Sequence, residues 1–291
     1  MTRRPWYCKR STNGEEAGPQ KKDKFSYARP EDPLLRKSMI RGVERLTGGR
    51  FLQRIYHKLK EEGATPVSFW RRALEELNIT PVLSEQQLQK IPTEGPLIII
   101  ANHPFGLVDG LLLMDIVTRV REDYFLLINE IISHDPLFKG HLLPVDFRET
   151  KAAMKTNLRT RRLTSERLSR GETLAIFPGG GVATAFQRGG PVEEYPWRKF
   201  ICSKIHENNC TVVPIFFHGA NSKLFHFVSR INSNLRLGLL LHEVMNKRGK
   251  EVQVRIGDPI TYPEMAPLRN RQQLIDHLYQ RTIALGTLHH N

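Results

Sequence analysis

A five-residue apolar run, Pro96-Leu97-Ile98-Ile99-Ile100, feeds directly into Ala101-Asn102-His103-Pro104-Phe105-Gly106-Leu107-Val108-Asp109-Gly110. The run is short and rich in β-branched residues, which reads as a buried strand. From about 108 to 120 the apolar spacing is helical. The junction must therefore turn a strand into a helix within a few residues. Pro104 fixes one dihedral and removes a donor, and Gly106 permits a conformation that other residues avoid. In α/β proteins the carboxyl end of a strand is where sites are usually built. A neutral imidazole steadied by a carboxylate is a general base, able to take a proton from an alcohol as it attacks a carbonyl. His103 and Asp109 are six positions apart, which is not a same-face helical spacing. They can meet only if His103 lies in the turn before the helix and its ring folds back.

The rest of the chain repeats this alternation. Strands are expected at 82–83, 97–102, 124–128, 142–146, 173–177, 211–217 and 251–257, with helical patterns at about 108–121, 150–170, 196–208, 222–245 and 268–286. That order predicts an α/β fold, a mostly parallel sheet with helices on both faces, preceded by an N-terminal helical segment. Residues 1–32 are polar and dotted with Gly and Pro, as a poorly ordered tail would be. Residues 33–79 read as basic amphipathic helices, with stripes Met39, Ile40, Val43, Leu46, then Phe51, Leu52, Ile55, Leu59, then Phe69, Trp70, Leu74, Leu77. Such helices either lie on anionic lipid or pack on the main domain. Residues 80–291 form the α/β domain.

Charge narrows the partners. The net charge is +14, concentrated in two stretches. Residues 36–60 hold eight basic residues against Glu44, and residues 148–170 hold eight against Glu149 and Glu166. This pattern suits an anionic partner, whether nucleic acid, a membrane surface or phosphorylated small molecules, or simply a solvated face. No apolar run approaches the ~18–20 residues of a membrane span, and the polar N-terminus does not read as a secretory signal. Cys8, Cys202 and Cys210 are too few and too scattered for a disulfide framework or a zinc site. A reduced, cytoplasmic protein without a metal is expected.

Three further junctions stand at strand ends, each also readable as an ordinary glycine turn, surface arginine or strand end. Phe177-Pro178-Gly179-Gly180-Gly181-Val182-Ala183-Thr184 follows a strand, and its glycines let backbone amides approach a phosphate or oxyanion. It lacks the lysine and hydroxyl of a P-loop. Lys139-Gly140-His141-Leu142-Leu143-Pro144-Val145-Asp146-Phe147-Arg148 sets an arginine at a strand end, where it can pair with phosphate. Val212-Val213-Pro214-Ile215 is a buried strand leading to a loop.

Together and in this order, these four loops resemble the blocks of the glycerolipid (lysophospholipid) acyltransferase family, which includes the 1-acylglycerol-3-phosphate acyltransferases. The first block there separates His from Asp by four residues; here five intervene, and Asn102-His103-Pro104-Phe105-Gly106-Leu107-Val108-Asp109 looks like the hemolysin-like branch. The second block is similar to Gly140 through Arg148, with Asp146 and Arg148 matched if one residue is inserted. The third matches Phe177, Pro178 and Gly180, but Ala183 stands at the serine position, with the hydroxyl arriving at Thr184, and Gly179 replaces the frequent glutamate. The fourth matches Val213-Pro214-Ile215. Two lesser matches, 127–140 and 255–260, extend the resemblance over about 95–260.

The resemblance implies a glycerol-3-phosphate-acyltransferase-like fold and transfer of a fatty acyl group from acyl-CoA or acyl carrier protein to the hydroxyl of a lyso-lipid. It implies His103 as base with Asp109, and substrate binding by Asp146, Arg148, Phe177, Pro178, Gly179, Gly180, Gly181, Thr184 and Pro214. No metal or other cofactor is implied. The basic stretches would then hold a peripheral protein on an anionic membrane surface, releasable by salt. The alternatives are a lipid hydrolase, for which the chain has no Gly-x-Ser-x-Gly elbow, and a non-enzymatic nucleic-acid-binding protein, for which it has no zinc-finger spacing or aromatic RNA-binding motif. A metal hydrolase would need a ligand spacing that the eleven histidines do not offer.

Overall fold

Alternation along one strand sorts this molecule into layers. β2 (Leu97–Ala101) is buried along its whole length. Its Leu97, Ile99 and Ala101 join one apolar core, while Ile98 and Ile100 join a second. A strand with two dry faces needs helices above and below, and each fully buried isoleucine contributes about 1.5–3 kcal/mol. The computed structural model describes residues 48–130, 135–231 and 233–287, with positions 34, 38 and 42. The expected tail and the stripe Met39, Ile40, Val43, Leu46 lie outside the described residues.

β2 sits between β5 (Thr173–Ile176) and β8 (Thr211–Phe217). The sheet continues through β3 (Tyr124–Asn129) to β4 (Leu142–Val145) on one side, and through β9 (Glu251–Ile256) to β1 (Thr80–Val82) on the other. β2, β3, β4, β5 and β8 are parallel. β9 runs antiparallel to β8, and β1 parallel to β9. All seven expected strands are present in a mostly parallel sheet. An additional hairpin, β6 (Thr184–Ala185) with β7 (Val192–Glu193), was not expected, because two-residue strands carry no readable period.

Helices α1 (Gly49–Glu61), α2 (Ser68–Leu77) and α3 (Leu107–Thr118) contribute to the first core. The second core receives side chains of α4 (Lys151–Leu168), α5 (Phe200–Asn208) and α8 (Arg271–Ile283). The expected helix over 222–245 is two helices, α6 (Lys223–Ile231) and α7 (Ser233–Lys247). α1 buries Ile55 and Leu59 and exposes Arg50, Arg54, Lys58 and Lys60. α2 buries Phe69, Trp70, Leu74 and Leu77, and Trp70 stacks on Phe138 at 4.5 Å. The buried apolar residues of α1 and α2 thus belong to the first core, packed with α3. No helix among the described residues is long and apolar enough to cross a membrane.

Topology then locates a crevice. β2 and β5 are neighbours, yet α3, which follows β2, packs on one face, and α5, the next long helix after β5, packs on the other. Diverging connections open a gap beyond the carboxyl ends of two parallel strands. The loops that border it are 102–106 and 177–183.

Candidate active site

The turn after β2 is built from backbone constraints. Gly106 has φ +91°, and a Cβ there would lie 2.8 Å from Leu240 Cδ2. Only glycine suits both the dihedral and the space. Gly106 caps α3, and the Asp109 carboxylate reaches back so that Oδ2 accepts the N–H groups of Phe105 (2.7 Å) and Gly106 (2.8 Å). That is the reciprocal half of a capping box, with the negative charge at the favourable end of the helix. Asn102 clamps the other flank. Its amide donates to Phe217 O at 2.9 Å and its oxygen accepts from Phe217 N at 2.7 Å. Asn102→Ala leaves two buried backbone groups of β8 unpartnered, with an expected cost of about 1–3 kcal/mol. A urea unfolding midpoint checks this.

Held between these anchors, His103 turns back onto the helix as the spacing required. Its Nδ1 lies 2.9 Å from Asp109 Oδ2, close but bent away from hydrogen-bond alignment. Such contacts often tighten only when substrate is bound. Asp109 is fully buried, whereas the His103 side chain keeps 16% of its surface exposed. The ring stacks on Phe177 at 4.1 Å and 20°, which fixes its plane, and Nε2 is the nitrogen left for an incoming group. Burial pushes the Asp109 carboxyl above its ordinary range, opposed by His103 and the two backbone N–H groups.

A second acid enters from the hairpin. Glu194, just after β7, accepts the His103 N–H through Oε1 at 2.8 Å. Burial raises its pKa to about 6, against the bond from His103. Nothing local in Val192-Glu193-Glu194-Tyr195 marks it, because its partner lies 91 residues away. A carboxyl whose folded pKa is raised favours the protonated folded state. It stabilises most below its ordinary value of 4.5, and that contribution is lost as pH rises through about 6. Glu194→Gln keeps the acceptor and removes the titration. Its stability relative to wild type is therefore expected to improve as pH rises through that window, read by denaturant unfolding at each pH.

The other expected site residues fall into three groups. Phe177, Pro178, Gly179, Gly180 and Gly181 form the loop beside His103. Gly180 N closes onto Phe177 O at 3.0 Å, and Ala183 N donates to His103 O at 2.8 Å. The N–H groups of Gly179 and Gly181 have no backbone partner among the described residues. A Cβ on Gly181 would lie 3.0 Å from the Tyr195 ring, so the hairpin closes tightly over this loop. Thr184 is buried and pairs with Glu193 across the hairpin. Asp146 and Arg148 meet each other rather than the histidine. Arg148 Nε donates to both Asp146 oxygens at 2.9 and 3.0 Å, and Glu130 Oε2 stands 3.3 Å from its guanidinium. Arg148 also borders an open cavity of about 580 Å³ with Lys151, Met154, Leu158 and Arg161. Pro214 is buried in β8 opposite Ile100, within the sheet.

A histidine–aspartate pair thus stands at the carboxyl end of a central parallel strand, facing a glycine-rich loop. The chain belongs to the acyltransferase family: the family model described as Acyltransferase matches residues 54–287. Among curated relatives, the lyso-glycine lipid O-acyltransferase of Phocaeicola vulgatus is 24% identical over 185 residues, 60% of this chain and 63% of that protein. The lyso-glycine lipid O-acyltransferase of Bacteroides thetaiotaomicron is 22% identical over 182 residues, 60% of this chain and 64% of that protein. This chain thus spans a little under two thirds of the length of the relatives it matches. In fold it is similar to the crystal structure of the 1-acyl-sn-glycerophosphate (LPA) acyltransferase PlsC from Thermotoga maritima. That likeness has a TM-score of 0.50 and 17% identity, and covers 89% of this chain and 98% of that one.

Proposed function

We propose that this protein moves a fatty acyl group from a thioester, acyl-CoA or acyl carrier protein, to the hydroxyl of a lyso-lipid. The observation that carries the reading is the partly exposed His103 ring with Nδ1 against the fully buried Asp109. His103 Nε2 takes the hydroxyl proton as the oxygen attacks the thioester carbonyl. Asp109 holds the tautomer and steadies the imidazolium that forms. The carbonyl oxygen gains charge, and the N–H groups of Gly179 and Gly181 are the donors assigned to it. One such donor is typically worth ~3 kcal/mol. Collapse expels the thiolate, which is protonated from His103, leaving ester and free thiol. The thioester is already activated, so neither a covalent enzyme intermediate nor a further cofactor is required.

The acceptor's polar head is assigned to the cavity beside Arg148. Asp146 and Glu130 offset the arginine there, so Lys151 and Arg161 supply the remaining positive charge. The names of the curated relatives favour a lyso-amino-acid lipid over lysophosphatidate as acceptor. The enzyme is proposed to work peripherally on an anionic membrane. Thiol release from acyl-CoA and from acyl carrier protein, measured across lyso-glycine lipid, lyso-ornithine lipid and lysophosphatidate, tests the assignment. Turnover with an amino-acid lyso-lipid supports it, and no acceptor-dependent release from any pairing contradicts it.

A further inference from the structure

Eight of the nine large apolar side chains exposed among the described residues lie on segments that leave one edge of the sheet. That edge is the carboxyl end of the parallel strands, where His103 sits. α6, which follows β8, exposes Leu224 (51%), Phe227 (52%) and Ile231 (65%). Their spacing puts them on one helical face over two turns, while Phe225 and His226 turn inward. α6 carries Lys223 and Arg230 and no acidic residue, and Arg230 lies over the Phe227 ring at 5.8 Å. The hairpin packed on α6 adds Phe186 and Val192. On the opposite flank of the glycine loop, α4 exposes Met154 (70%) and Leu158 (68%) one turn apart, beside Lys151 and Lys155. Phe147, also exposed, bridges the flanks: its ring lies 3.5 Å from the position of a Cβ on Gly180.

Neither basic stretch read from the sequence includes α6. Two apolar patches with cationic borders, flanking one active-site mouth, match an anionic lipid surface in both chemistry and placement. Monomeric proteins seldom leave such patches without a use. We infer that the apolar face of α6, with the β6–β7 hairpin, and the Met154–Leu158 face of α4 insert together into an anionic bilayer and set the crevice of His103 against it. This rests on the acyl-transfer reading for its purpose, since a lipid acceptor then reaches Nε2 without crossing water. It also changes the expected salt response: screening weakens the cationic contribution, and the apolar insertion persists.

Flotation with vesicles of phosphatidylcholine plus phosphatidylglycerol, and with phosphatidylcholine alone, tests the surface. L224S/F227S and M154S/L158S are each expected to bind the mixed vesicles about tenfold or more weakly than wild type, as lost apolar burial of this size predicts. Wild type is expected to prefer the mixed vesicles and to keep residual binding in high salt. Both variants should retain the wild-type unfolding midpoint, and L224S/F227S should keep full turnover of a short-chain acceptor dissolved as monomer. Met154 and Leu158 line the cavity assigned to the acceptor's head, so M154S/L158S is read by vesicle binding and midpoint alone. Wild-type vesicle binding by both variants overturns the inference. So does complete release of wild type by salt, or weakened binding of acyl carrier protein with vesicle binding intact. The unfolding midpoint reports the fold independently of turnover. Absence of any acyl transfer therefore bears on the proposed reaction, and vesicle binding bears on the surface.

Discussion

His103→Ala is expected to reduce acceptor-dependent thiol release by about 10²–10⁴-fold, the usual worth of a positioned general base. The fold should survive, because the anchors of this turn are not in the ring. Asp109 caps α3 through the N–H groups of Phe105 and Gly106, and Glu194 accepts from the backbone of residue 103 rather than from its imidazole. What alanine removes is the ring stacked on Phe177 and its contact with Asp109. The unfolding midpoint is therefore expected to move little while turnover falls to background. Full turnover in the variant would remove the base assignment.

Asp109→Asn is the second large effect, and its two components can be separated. The carboxylate serves backbone and imidazole with the same atom, Oδ2. An asparagine oxygen in that place keeps the cap but removes the charge that steadies a forming imidazolium. An amide nitrogen there instead faces three donors. Turnover is expected to drop about 10²–10⁴-fold, a range whose upper end is the measured effect of the equivalent change in a serine protease. Asp109→Ala also unpartners the buried N–H groups and should cost about 1–3 kcal/mol for each one left unsatisfied. Comparing both variants by turnover and by urea midpoint separates orientation of the base from capping of the helix. Because burial raises the Asp109 pKa, wild-type turnover should also fall on the acid side sooner than an ordinary carboxylate would dictate.

The strand-to-helix junction was legible because its constraints are local. Pro104, Gly106 and an aspartate three residues into the helix dictate the turn, and the six-residue spacing then leaves only one way for the ring to reach Asp109. The seven sheet strands were legible through apolar runs bounded by loops. Long-range pairings left no local trace. Glu194 reaches His103 from a hairpin whose strands are two residues each. Arg148 reads from sequence as an anion-binding group, yet Asp146 and Glu130 already meet it. Pro214 belongs to a block that resembles a family motif, but its position opposite Ile100 makes it part of the sheet. The break between α6 and α7 was hidden because both halves share an apolar helical pattern. The exposure of Leu224, Phe227 and Ile231 is set by tertiary packing, which the helical pattern over 222–245 does not reveal.

The most direct measurement pairs two products in one reaction: free thiol released from the acyl thioester and ester formed on the lyso-lipid, quantified together by mass spectrometry. Acyl transfer through His103 predicts one ester for each thiol, negligible thiol without acceptor, and loss of both in His103→Ala. Thiol released with free fatty acid in place of ester, or ester formed undiminished by His103→Ala, would contradict it.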